Sequence, residues 1–135
     1  MNAKSLLFGT LAGTVVLSAL GFLVYGVLMT GLYETYTFNT TMRSDPDMLF
    51  VTLSTVVYAF VLTYIFTRWA GIRTVVSGAT AGAVLGLLIT LSVDLSMYAM
   101  WEGLSLVLVA IDPIAGAVWS AGGGAAIGYA LSRLD

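Results

Sequence analysis

The chain has 135 residues, of which 59 % are hydrophobic and 9 % charged, with no Cys, no His and a formal net charge of −2. A mean hydropathy of +1.00 excludes the ordinary soluble globular class. The missing Cys and His remove disulfides, thiolate chemistry and the commonest metal ligand. No basic patch points to nucleic acid.

Four stretches carry no charge for about twenty residues or more: 5–33, 48–67, 74–93 and 113–132. A hydrocarbon core roughly 30 Å thick needs about 20 apolar residues per helix. The sequence therefore predicts an all-α fold, a four-transmembrane-helix bundle running up-down-up-down as a single membrane domain over 1–135. Lys4 and the apolar run after it resemble the start of a signal peptide. That run continues past Gly21 to Tyr33, longer than the usual h-region of about 7–15 residues, so it is read as a retained first helix.

The second and fourth runs each begin at or just after an Asp-Pro pair, Asp45-Pro46 and Asp112-Pro113. Asp caps helices well, and Pro suits the first helical position. Gly9 and Gly13 in the first helix answer Gly78 and Gly82 in the third. These correspondences suggest two duplicated hairpins, 1–68 and 69–135, in parallel orientation; convergent packing needs are the alternative. The apolar segment from Leu104 to Ile111 is either re-entrant or the start of a long fourth helix bent at Pro113, and short connections in bundles favour the latter.

Lys4, Arg68, Arg73 and Arg133 fall on one side of this topology and only Arg43 on the other. The positive-inside rule places both termini in the cytoplasm. Glu34, Asp45, Asp47, Asp94, Glu102 and Asp112 lie towards the opposite, outer side, and only Asp135 falls inside; the outer acids are either ordinary polar loop residues or an acidic vestibule for cations.

Helix 3 bears Gly78, Gly82, Gly86, Thr90, Asp94 and Tyr98 at four-residue spacing. Helix 4 bears Asp112, Gly116, Ser120, Gly124, Gly128 and Ser132 in the same way. Small residues so spaced let backbones approach in lipid; a smooth pore wall is the functional alternative. Each four-residue step overshoots a full turn by about 40°, so one row is expected to serve two neighbours, one within the bundle and one in another helix or another subunit, which favours a homo-oligomer. Ala121-Gly122-Gly123-Gly124 follows no strand and is no phosphate loop, and the Asn39-Thr40-Thr41 sequon carries no weight.

The chemistry candidates are Asp94 and Asp112, the two acids closest to the hydrocarbon region. Each stands about 21 residues from an arginine, Arg73 or Arg133, which is roughly 31 Å of helix and puts it near the outer boundary. An ionisable group inside a membrane helix is a functional candidate, although Asp112 also reads as a helix cap. Thr90, Tyr98 and Trp101 share the face of Asp94, while Gly116 and Trp119 share that of Asp112. Tyr33, Tyr36, Tyr98 and Trp101 fit an interfacial belt. Tyr25 and Tyr58 sit deeper and need hydrogen-bond partners. Thr14, Ser18, Thr52 and Thr55 are expected to extend them into a polar strip.

The run from Ala19 to Gly26 (Ala-Leu-Gly-Phe-Leu-Val-Tyr-Gly), the stretch Met42–Met48 (Met-Arg-Ser-Asp-Pro-Asp-Met) and Asp94 followed by Met97-Tyr98 resemble uncharacterised small four-helix bacterial membrane proteins, a domain of unknown function. The resemblance implies the same fold, a bacterial inner (cytoplasmic) membrane location and no defined activity. Two functions follow as expectations. One is a non-enzymatic structural or accessory protein that contacts membrane lipids and forms a homo-oligomer or joins a larger membrane complex, without cofactor or metal. The other is a small channel or transporter for a cation, proton or small solute, with a polar site near Asp94. A continuous polar path through the inner half separates the two, and the sequence offers only Ser and Thr there.

Overall fold

A computed structural model describes residues 2–32 and 47–134. Tyr33, Glu34, Tyr36, the Asn39 sequon, Arg43, Asp45-Pro46 and Asp135 lie outside the described residues. Among the described residues four helices are long and apolar enough to cross a membrane, as expected of a multi-pass membrane protein. They are α1 (Ala3–Leu23, extended by a π-helical turn, Val24–Leu28), α2 (Met48–Ile65, extended by a second π turn, Phe66–Ala70), α3 (Val75–Met100) and α4 (Leu106–Ser132).

Each helix starts where a short polar side chain takes over an orphan N–H. Asn2 accepts from Ser5, Asp47 from Leu49, Thr74 from Ser77 and Ser105 from Val107. The turn after α2 closes on Gly71, whose φ of 62° is the left-handed conformation that suits glycine. The long-helix reading of the 104–111 segment holds here, and the cap reading of Asp112 changes. Helix α4 begins at Leu106, so most of the 104–111 segment is transmembrane helix and Pro113 lies inside it. Asp112 is therefore no cap; it occupies the helix interior and is 8 % exposed. In the second half, at least, the Asp-Pro pair does not open a helix, which weakens that correspondence between the hairpins.

The helices are not equal partners. Helix α4 packs most extensively against α3, then against α1, and more lightly against α2, while α1 also packs on α2. Helix α3 is held chiefly by α4, so its far side, with Val76, Val84 and Leu88, stays exposed. One apolar cluster, formed by Leu62, Phe66, Ile127 and Leu131, fills the end that carries the N-terminus and the α2–α3 turn. A second, Val24, Met29 and Leu108, fills the other end. The first end carries Lys4, Arg68, Arg73 and Arg133. The second carries Asp47 and Glu102, and every acid among the described residues lies in its half of the bundle.

The glycine row of α3 departs from expectation. A Cβ built at Gly78 would collide with the backbone of Gly124, one at Gly82 with the Ser120 carbonyl, and one at Gly86 with Ser120 and the Gly116 carbonyl. Thr90 then meets Gly116, and Asp94 meets Asp112. From Gly78 to Asp94 the row thus keeps one neighbour rather than dividing between two. Four-residue ridges are inclined to the helix axis, so a helix that crosses along the ridge stays with it despite the drift per turn. Gly124 and Gly128 serve the same seam, the latter against the Thr74 carbonyl. Gly9 faces Thr63 of α2, and Gly13 faces Ile127 of α4 and Ala59 of α2.

Candidate functional site: a carboxyl pair inside the bundle

Asp94 is the seventh residue from the end of α3 and Asp112 the seventh residue of α4. Both therefore lie about 9 Å of helix inside their spans. The seam between the two helices brings the carboxyl groups within hydrogen-bonding reach of each other. Two ionised carboxylates only accept, so a hydrogen bond between them requires one shared proton. Asp94 Oδ2 is buried and has no hydrogen-bond partner among the described residues.

Helices α1 and α2 add aromatic groups. The Tyr25 hydroxyl, in the π turn of α1, lies within electrostatic reach of Asp112, Asp94 and Tyr58. The Tyr58 hydroxyl is 2.9 Å from Ser120 Oγ, which gives that deep tyrosine its partner. Between the two tyrosines stands Trp119. Its ring meets Tyr25 edge-on at 6.0 Å and Tyr58 in a tilted stack at 4.7 Å. Its indole N–H donates to the Leu17 carbonyl at 2.9 Å, and Gly21 leaves space for the indole beside α1. Each of these geometries lies in the range of favourable aromatic pairs.

No protein-family model, curated protein or solved structure matches this chain.

Of the sequence candidates, Asp94, Asp112, Thr90, Tyr25 and Tyr58 belong to one continuous region of the bundle. Tyr98 does not join them: it lies a turn beyond Asp94, is 41 % exposed, and suits the interfacial belt instead. The wider polar strip is also absent. Thr14 and Thr55 hydrogen-bond carbonyls of their own helices, while Ser18 and Thr52 are exposed. Two further residues belong to the site. Ser120 reads in the sequence as a small packing residue, yet its hydroxyl answers Tyr58. Trp119 links three helices. The available signal was its mid-span position, far from an interface, because a buried indole N–H needs an acceptor.

The second apolar cluster, with Ile111 and Ala115 packed against it, flanks the acid pair on one side. On the other side, the fully buried Leu62, Phe66, Ile127 and Leu131 close the bundle. Among the described residues no three Asp, Glu, His or Cys side chains gather as a metal-binding group. The pair can share a proton or present two carboxylate oxygens to a small cation.

Proposed function

We propose that this chain is a non-enzymatic structural or accessory protein of the bacterial inner membrane, with both termini in the cytoplasm, working as a homo-oligomer or within a larger membrane complex. The observation that carries this reading is the closure of the basic half. There Leu62, Phe66, Ile127 and Leu131 are fully buried, and glycine backbones on α3 and α4 touch directly. Such a wall favours a scaffold over a conduit, since a polar path has to cross this half. Four basic residues at one end support the cytoplasmic orientation of the termini. The glycine row no longer argues for a second subunit, because α4 covers it. The surface of α3 turned away from α4 is the better argument for a partner.

A second reading rests on the Asp94–Asp112 contact: a small transporter or channel in which the pair carries a proton or cation. Flux of protons and of monovalent cations into liposomes containing the purified protein separates the two. The scaffold reading expects background flux from well-folded wild type and from Asp94→Asn alike. Flux that Asp94→Asn abolishes supports the transport reading, and flux insensitive to the substitution removes the carboxyl pair from it.

A further inference from the structure

Helices α1 and α4 touch closely only along part of their length. Gly13 meets Ile127, Leu17 meets Gly123 and Leu20 meets Gly122. Towards the basic end α1 turns to α2 instead, with Gly9 against Thr63. The diverging helices leave an outward-facing groove of about 560 Å³. Ala12 and Ala130 line it with short side chains, Phe8 and Val15 contribute apolar surface from α1, and Tyr129 and Arg133 complete it from α4.

We propose that this groove holds an acyl chain of an anionic phospholipid, whose phosphate is met by Arg133. Three observations select that occupant. The lining spans eight helical steps on α1, Phe8 to Val16, about 12 Å at helical rise, and runs from Ala126 to Leu134 along and just past the end of α4. That length is close to one leaflet of a core about 30 Å thick. The apolar groove ends at one cation: Arg133 follows the last turn of α4, and its guanidinium carbon stands 5.1 Å from the Tyr129 ring centroid, which keeps the charge beside the groove. The same end of the bundle also carries Lys4, Arg68 and Arg73, and no acid among the described residues. A parallel second copy seated here would bring its own cations to this surface, whereas an anionic headgroup complements it. The lipid belongs to the leaflet on the side of the N-terminus.

The test is native mass spectrometry of the purified full chain with equimolar phosphatidylglycerol and phosphatidylcholine. Phosphatidylglycerol is expected to be retained in preference, and Arg133→Gln should reduce that preference about five-fold, the effect of one basic residue at a membrane surface. Ala130→Leu, which fills the groove, should lose the lipid with helicity and subunit number unchanged. If Ala130→Leu fails to fold, Arg133→Gln decides alone, because its exposed side chain leaves the core untouched. Equal retention of both lipids, or undiminished preference in Arg133→Gln, overturns the proposal. So does displacement by millimolar inorganic phosphate, which indicates a simple anion site. A changed subunit number in Ala130→Leu with lipid retention intact assigns the groove to a second copy and likewise overturns it.

Discussion

Replacing Gly82 with alanine isolates the energy of the α3–α4 seam. The added methyl collides with the Ser120 carbonyl, and the Gly124 Cα lies just beyond. Both obstacles are backbone, so no rotamer change relieves them and the helices must separate. Overpacking of this kind costs about 1–3 kcal/mol. Alanine in place of glycine returns about 1 kcal/mol through helix propensity, so the net loss is up to about 2 kcal/mol. Gly26→Ala provides the reference, since its methyl meets only the Phe22 ring at an ordinary 3.5 Å. It keeps the propensity gain without the collision. Gly122→Ala lies between them, because its methyl meets the end of the Leu20 side chain, which can rotate aside. Reversible unfolding in mixed micelles, followed by helicity, should rank stability as Gly26→Ala, then Gly122→Ala, then Gly82→Ala. The span from first to last equals the collision term, about 1–3 kcal/mol. Equal stability of Gly82→Ala and Gly26→Ala would refute the close seam. Gly82→Leu should fail more severely, and unchanged folding of that variant would place Gly82 against lipid.

Tyr58→Phe removes the partner of the Ser120 hydroxyl and should cost about 0.6 kcal/mol, the typical worth of an interhelical hydrogen bond in a membrane protein; Ser120→Ala made in the Tyr58→Phe background should then add little, and additive losses would count against the bond. Trp119 should be shielded from an aqueous quencher relative to Trp101, which is 53 % exposed near a helix end. Acrylamide quenching of single-tryptophan variants measures this, and equal quenching would contradict the Tyr25–Trp119–Tyr58 stack. Asp94→Asn retains hydrogen-bonding capacity towards Asp112 without needing a shared proton, so it should leave the helical content unchanged, whereas Asp94→Leu should reduce stability by leaving Asp112 buried without that partner. The same unfolding assay compares the two, and equal stability would argue that the carboxyl groups do not meet.

Much of the site was legible before the fold. Asp94 and Asp112 stand out because acids are costly in a membrane span, and their equal distance from Arg73 and Arg133 places them at one depth. Tyr25 and Tyr58 stand out because phenols so deep need partners. Less legible were the roles of Ser120 and Trp119, whose partners Tyr58 and Leu17 lie 62 and 102 residues away, and the interior position of Asp112. An Asp before a proline reads locally as a helix start. Here Ser105 takes the cap instead, and the helix runs on through Pro113 while α1 and α3 pack around it.

The number and order of the spans follow from the sequence alone, because each needs a local quantity, an uncharged apolar run long enough for the bilayer; their full length does not, since α3 and α4 run on past those stretches to take in Asp94 and Asp112. The distribution of basic and acidic residues between the two ends follows from the same count. Which faces meet is a different kind of property. A row of glycines permits close approach without naming the approaching helix, and period alone suggested that the row from Gly78 to Asp94 divides between two neighbours. Only the crossing of α3 with α4 decided that a single seam carries it throughout, and that same crossing brings Asp94 to Asp112. Rotation and crossing of helices arise from contacts across the whole bundle, so the tertiary structure, and not the local pattern, determines them.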